Sequence, residues 1–228
     1  MNNVIKAPDI PRVLVNNGDF YPVRRIFCVG KNYADHVVEM GGDLKSSKPV
    51  FFTKPADAVV PDGGKIPYPQ ATENLHYEGE LVVALKSGGK NISSEKANDH
   101  IYGYAAGCDL TRRDLQTIAK NSGNPWDIAK GFDHSAPIAA IVPVNELKEF
   151  DQSILSLSVN GNIRQQAPLS LMIWSIAEII ETLSSMFELK AGDLIFTGTP
   201  EGVGALSTGD QVRVEIGTLP ALEFEISR

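Results

Sequence analysis

The stretch LHYEGELVVAL, residues 75–85, places Glu78 and Glu80 at the start of an apolar run that suits a buried β-strand. Side chains two apart on a strand point to one face, so these carboxylates are expected to converge, with His76 beside them if the strand extends back that far. Two unpaired carboxylates held so close repel, and removing them from water is costly. A cation relieves both penalties, and a hard divalent ion prefers oxygen ligands and keeps positions open for water or substrate. An isolated E-x-E is more often a solvated strand end. A third acid shifts the balance: Asp109 closes another apolar run, YGYAAGCDL, just before a helix begins. Acids at three comparable strand-end positions describe a facial metal site. Zinc is disfavoured, because no Cys/His cluster has zinc spacing.

Two further stretches invite chemistry. In YADHVVEM, residues 33–40, His36 and Glu39 stand at i,i+3 and share a helix face, so Glu39 can orient the imidazole while His36 takes a proton from water. Spacing alone favours an exposed surface pair. The segment TGTPEGVG, residues 197–204, lacks the Lys-Ser/Thr ending of a phosphate loop. It precedes a strand-like segment, DQVRVEI, which also removes the dinucleotide fingerprint. Its backbone N–H groups can still hold a carboxylate, or simply form a tight turn. No G-x-S-x-G nucleophile elbow is present.

The elements that must position these residues are mostly strands. Apolar runs at 24–30, 49–55, 80–85, 100–110, 155–161, 193–199, 210–217 and 221–227 are bounded by turn residues or alternate with polar ones. Helices are expected at 170–187 with Ser170 as N-cap, at 111–120 capped by Thr111, and at 33–40 stopped by Gly41-Gly42. Isolated helices after runs of strands do not give the alternation of a doubly wound sheet, so a β-rich single domain with helices at its edges is expected.

Bulk composition narrows the function classes. The net charge of −7 argues against nucleic-acid or anionic-membrane partners. Cys28 and Cys108, both in apolar segments, read as buried reduced thiols rather than a disulfide scaffold. No apolar run approaches the ~20 residues of a membrane helix, and no secretory signal opens the chain. A cytoplasmic protein is expected.

Taken in order, CVGKNYADHVVEM, E-x-E, GCDLTRRDLQ, AKGFDHSAP and DLIFTGTPEGVG resemble the fumarylacetoacetate hydrolase family from about residue 24 to the C-terminus. DLTRRDLQ, PWDIAKGFD and MIWSIAEII are most similar to the short fumarylpyruvate hydrolases of bacterial gentisate breakdown. The resemblance implies a β-rich α+β fold, the mixed β-roll of the family with a few peripheral helices, assembled as a homodimer. Residues 1–23 would be an N-terminal extension with a short strand, and 24–228 the catalytic domain. It implies Mg²⁺ or Mn²⁺ held by Glu78, Glu80 and Asp109. It puts His36 and Glu39 on a lid as base and orienting partner, gives Arg113, Gln116 and Lys130 to a developing oxyanion, and assigns Thr199 with its neighbouring amides to the pyruvyl carboxylate. Arg112 is expected to face another way, toward the surface or the distal carboxylate of a fumaryl group. Close relatives carry a bulky apolar residue where this chain has Gly79, which loosens the strand locally. The implied reaction is hydrolysis of an acylpyruvate, fumarylpyruvate foremost. Decarboxylation of oxaloacetate, or decarboxylation/isomerisation in homoprotocatechuate breakdown, would use the same enolate chemistry. A non-catalytic metal or carboxylate binder is the alternative of another class.

Overall fold

The computed structural model describes residues 3–33, 49–148 and 150–228. Two sheets carry the fold. The larger, eight-stranded sheet runs in the order Val50–Lys54, Arg25–Gly30, Asp193–Phe196, Gly79–Leu85, Ile101–Cys108, Ala136–Ile138, Val59–Pro61, with Val142–Pro143 also paired to Ile101–Cys108. Most of its neighbours are antiparallel, but Asp193–Phe196 is parallel to Arg25–Gly30 and Ala136–Ile138 to Val59–Pro61. The second sheet orders Asn162–Pro168, Ile154–Val159, Gln211–Ile216, Leu222–Ser227 and Gly64–Pro67. A small third sheet joins Thr111–Arg112, Leu75–Tyr77 and Gly204–Leu206, and Arg12–Leu14 pairs with Phe20–Pro22 as a hairpin. The architecture is the β-rich α+β mixed roll that the sequence leads one to expect.

Side-chain alternation explains how the layers meet. Along Gly79–Leu85, Leu81 packs with Leu155, Leu157 and Val214 of the second sheet. Val83 and Leu85, on the same face, pack against Ile179, Ile180 and Leu183 of the helix Ile176–Met186. Val82 and Ala84 face the other way and join Ile26, Cys28, Ala105 and Ile138, where Val13, Val15, Tyr21 and Val23 of the N-terminal hairpin also bury. The same parity puts Glu80 with Val82, Lys54 with Phe52, and Asp109 with Ala105. The charged groups therefore share the inner face of the large sheet, and all three are buried.

Helix boundaries depart from the sequence reading. The long helix starts at Ile176, not near Ser170, which lies in the 3-10 turn Leu169–Leu171. Between them, the N–H groups of Ile173 and Trp174 donate to the backbone and side-chain oxygens of Asn32, each at 2.7 Å. Those bonds take the place of helical ones. Ser175 is the N-cap: its hydroxyl accepts the Glu178 N–H, and Glu178 Oε2 accepts the Ser175 N–H at 2.8 Å, a capping box. Hydrogen bonds from Ser175 also hold the Glu178 carboxyl below its ordinary pKa. Ile173 and Phe187, which continue the three- and four-residue apolar spacing beyond both ends of the helix, are 40% and 39% exposed. Ser175→Ala is expected to lower unfolding free energy by about 1 kcal/mol, read as a shifted urea midpoint with an unchanged slope.

The second helix runs Arg113–Ser122 and ends on Gly123, which takes the left-handed conformation at φ 66. Thr111 does not cap it. Thr111 pairs with His76 in the small sheet, and its hydroxyl donates to the Asp109 carbonyl at 3.2 Å. The helix start is tied down by Asp114, whose carboxylate accepts from the Thr72 hydroxyl at 2.6 Å and the Glu73 N–H at 3.0 Å.

Candidate metal and active site

Glu78, Glu80 and Asp109 are buried, and each offers an oxygen within 4.8 Å of the others. Strand register brings them together. Gly79 pairs with Cys108 and Glu80 with Gly107, and the ladder continues through the Asp109 N–H to the Glu78 carbonyl at 2.8 Å. Glu78 and Asp109 are thus cross-strand neighbours, an arrangement of like charges that is unfavourable without a counter-ion. Glu78 itself lies between the strands Leu75–Tyr77 and Gly79–Leu85, so the continuous strand read from the sequence breaks there.

Among the described residues, three cations surround the acids. Lys130 Nζ lies 2.7 Å from Glu78 Oε2, 2.7 Å from Asp109 Oδ2 and 2.6 Å from Thr111 Oγ1, so its three donors are engaged. Burial pulls its pKa down, but Asp109 and Glu78 outweigh burial and hold it above the ordinary lysine value. Lys130 is the last residue of a short helix, Asp127–Lys130. Lys54, fully buried, reaches Asp109 Oδ1 at 2.8 Å. Arg113 donates to Glu78 and to Gln116.

Glu80 differs from the other two acids. Among the described residues it makes no ion pair; its Oε2 accepts the Gly198 N–H at 2.8 Å. Burial, reinforced by Asp109 and Glu78, holds its carboxyl well above the ordinary range. Tyr33 closes the same side. Among the described residues its buried hydroxyl has no hydrogen-bond partner, and burial with Glu80 and Glu201 nearby raises its pKa. An orphaned donor in a dry site suits an anionic ligand.

These observations meet a clear likeness. The model described as Fumarylacetoacetate (FAA) hydrolase C-terminal matches residues 25–227. The chain belongs to the fumarylacetoacetate hydrolase family. It is 43% identical over 175 residues to a fumarylpyruvate hydrolase of Ralstonia sp, covering 76% of this chain and 91% of that protein. It is 42% identical over 205 residues to a mitochondrial oxaloacetate tautomerase of Rattus norvegicus, covering 90% and 92%. The crystal structure of fumarylpyruvate hydrolase from Pseudomonas aeruginosa in complex with Mn²⁺ and pyruvate superposes with a TM-score of 0.96, at 45% identity and 99% coverage of both chains.

Within this family frame, the other candidates fall into place unevenly. Arg113, Gln116 and Lys130 gather around the acids. Thr199 also lies beside them, but its hydroxyl donates to the Gly79 carbonyl at 2.8 Å and accepts from Gln165 at 2.8 Å. The Gly198 amide already serves Glu80. His36 and Glu39, with the helix expected at 33–40, lie outside the described residues. Arg112 does face away: its guanidinium sits 4.4 Å over the Phe132 ring and donates to the Ile128 carbonyl at 3.2 Å. His76 is not among the clustered ligands. Burial, then Arg113, lowers its pKa to about 4, so it is neutral near pH 7. Cys28 and Cys108 are free and buried, and burial pushes both thiols up.

Besides Tyr33, two residues of the site escaped the sequence reading. Lys54 sat in an ordinary strand, PVFFTKP. Gln165, 1% exposed, comes from the second sheet. Its Oε1 accepts the Gly79 N–H at 2.9 Å, and its Nε2 donates to Thr199 Oγ1 and the Pro200 carbonyl, each at 2.8 Å. Gln165 thereby fastens the acid-bearing strand to the glycine-rich turn. Gly79 follows from this packing: a Cβ there would lie 3.0 Å from Leu157 Cδ1 and 3.4 Å from Gln165 Oε1.

Proposed function

We propose that this protein hydrolyses the C3–C4 bond of an acylpyruvate, with fumarylpyruvate yielding fumarate and pyruvate. The observation that carries the reading is the buried triad Glu78, Glu80 and Asp109, within 4.8 Å of one another, in a chain 45% identical to a fumarylpyruvate hydrolase that binds Mn²⁺ and pyruvate. The oxygen-only donor set, and a buried Glu80 with no cation of its own, fit Mg²⁺ or Mn²⁺. That ion would supply Lewis acidity toward the 2-oxo acid end, where negative charge develops as the bond breaks.

The chain's own residues divide the remaining tasks. The Gly198 N–H orients Glu80, while Lys130 and Arg113 orient Glu78. His36, steered by Glu39, takes a proton from the water that adds to the C4 ketone. Arg113 and Gln116 offer donors toward the oxyanion formed at C4, and Lys130, whose three donors are engaged in the free protein, joins them by giving up its contact with Thr111. The Thr199 turn and the free Tyr33 hydroxyl face the carboxylate end of the substrate. The proton removed from water goes to C3 of the departing enolate, giving pyruvate.

A second reading rests on the 42% identity to the mitochondrial oxaloacetate tautomerase: oxaloacetate chemistry, tautomerisation or decarboxylation, at the same enolate-stabilising site. A product-resolved assay on fumarylpyruvate, acetylpyruvate and oxaloacetate, with and without Mg²⁺ or Mn²⁺, separates the two. Metal-dependent release of fumarate and pyruvate, blocked by EDTA, is the expected result. CO₂ or enol–keto exchange from oxaloacetate, without cleavage of either acylpyruvate, would overturn it, and no turnover at all would leave a binding protein. The reading places the enzyme in the cytoplasm, as a homodimer, in aromatic breakdown through gentisate.

A further inference from the structure

The Asp109 N–H donates to the Glu78 carbonyl at 2.8 Å, one step beyond the facing residues Gly79 and Cys108. Alternation along an antiparallel ladder therefore turns the N–H and carbonyl of Gly79 away from Ile101–Cys108. The neighbour on that side, Asp193–Phe196, ends too early to take them. Beyond it the Thr197 N–H reaches the Leu81 carbonyl at 3.0 Å, and the chain turns at Gly198, φ 99. Two side chains serve Gly79 instead. Gln165 Oε1 accepts its N–H at 2.9 Å, and the Thr199 hydroxyl donates to its carbonyl at 2.8 Å. Gln165 Nε2 closes the circuit on Thr199 Oγ1 and also donates to the Pro200 carbonyl, each at 2.8 Å. The peptide shared with Glu78 and the peptide shared with Glu80 are thus both held by one circuit. It also fixes the amide's orientation, because turning it over would set donors against the Gly79 N–H.

The strand that carries Gln165 is shaped to deliver it. Gln165 lies opposite Leu157, yet Ile163 lies opposite Ser158, which leaves Arg164 as an extra residue. Such a bulge re-aims side chains and recurs beside active sites. Gln165 and Ala167 point inward by strand alternation, and without the bulge Ile163 would follow them; it is 62% exposed. The glycine-rich turn is seated on the same bulge. A Cβ on Gly202, φ 91, would lie 2.1 Å from the Arg164 carbonyl oxygen. Burying an amide is costly unless its bonds are made, and here both its oxygen and its nitrogen are engaged between the acid-bearing strand and the turn.

We infer that Gln165 is a positioning residue that couples the ion-binding glutamates to the carboxylate-binding turn, so that loss of its amide weakens both kinds of binding although no charge is removed. The inference rests on the acylpyruvate reading for the role of the turn. Among the described residues Gln165 bonds to none of the three acids; it acts on Glu78 and Glu80 through the Gly79 peptides, and on the ligand's carboxylate through Thr199. A purely structural role would lower stability and leave ion affinity alone.

Gln165→Met keeps the bulk and removes the bonds. Paramagnetic resonance of free Mn²⁺, with no organic ligand present, should give a dissociation constant about tenfold above wild type, the lower end of the range for losing a group that orients metal ligands. Calorimetric titration of pyruvate into Mn²⁺-saturated protein should show a similar weakening. The control is Val214→Ala, buried in the same sheet, which opens a cavity without touching the circuit and should leave both constants within about twofold. Should Gln165→Met fail to fold, Thr199→Val breaks the circuit from the turn. Thr199 bonds to Gly79 and Gln165, not to an acid, so weaker Mn²⁺ binding there is the expected result. Unchanged Mn²⁺ or pyruvate affinity in Gln165→Met, unchanged Mn²⁺ affinity in Thr199→Val where that variant stands in, or an equal loss in Val214→Ala, would overturn the inference. Neither measurement uses turnover. Wild type that binds Mn²⁺ and pyruvate but cleaves no acylpyruvate would sink the proposed reaction and leave the role of Gln165 to these constants; wild type that binds no Mn²⁺ would sink both.

Discussion

Replacing Glu80 with glutamine is expected to cut turnover by roughly a hundred- to a thousandfold, the range for losing one electrostatic contact to a developing charge, here that of the ion Glu80 would help hold, and to leave the metal-free protein at least as stable as wild type. The two halves of this result come from one fact. Glu80 is buried, and among the described residues no ion pair compensates it. Burial, with Asp109 and Glu78 nearby, raises its pKa well above the ordinary carboxylate value. A carboxyl whose pKa is higher in the folded state stabilises the fold below its unfolded pKa and loses that contribution as pH rises toward the folded one. Metal-free wild type should therefore lose stability as pH climbs from the ordinary carboxylate range upward, and Glu80→Gln should flatten that slope. The amide keeps an oxygen for the Gly198 N–H and gains donors for the neighbouring acids. Thermal unfolding across pH, with and without Mn²⁺, checks both halves. Wild type should gain stability from Mn²⁺ by mass action, and the variant should gain little. Undiminished turnover, or a variant that Mn²⁺ stabilises as well as wild type, would remove Glu80 from the ligand set.

The acids of this site were legible because strand periodicity is local information. E-x-E on an apolar strand predicts convergence, and an acid closing a second apolar run predicts a neighbour at the same sheet end. Their counter-ions were less legible. Lys54 lies one strand beyond Arg25–Gly30, and Gln165 reaches across from the other sheet, so only the tertiary arrangement shows what either side chain meets. The same limit explains the helix ends. Apolar periodicity runs smoothly through residues 170–187, yet Asn32, far away in the chain, takes the N–H groups of Ile173 and Trp174 and delays the helix to Ile176. Thr111 reads as a good cap, but its hydroxyl is recruited by Lys130 and Asp109 instead. Gly79 looked like a loosened strand. It is a close approach, set by Leu157 and Gln165 on the facing sheet. Where the structure departs from local expectation, a side chain of the site or its support is competing for the same backbone.

Lys130→Met should act in the opposite sense to Glu80→Gln on the metal-free protein. Lys130 bridges Glu78 and Asp109 at 2.7 Å each and is 2% exposed. Methionine fills similar volume, so the loss is one of charge. Without the ammonium, two carboxylates face one another across a buried strand pair, with Arg113 left on Glu78 and Lys54 on Asp109. Removing one partner from a buried ion pair costs about 3–5 kcal/mol, because the remaining charge stays desolvated. The metal-free variant should unfold at markedly lower urea. A divalent ion supplies positive charge to those same oxygens, so Mn²⁺ should stabilise Lys130→Met more than it stabilises wild type, even as turnover falls through the lost donor. Urea titrations of both proteins with EDTA and with saturating Mn²⁺ give the four midpoints needed. A variant with equal stability in EDTA would mean that the bridging contacts contribute little. A variant that Mn²⁺ stabilises less than wild type would mean that Lys130 supports ion binding instead of standing in for the ion's charge.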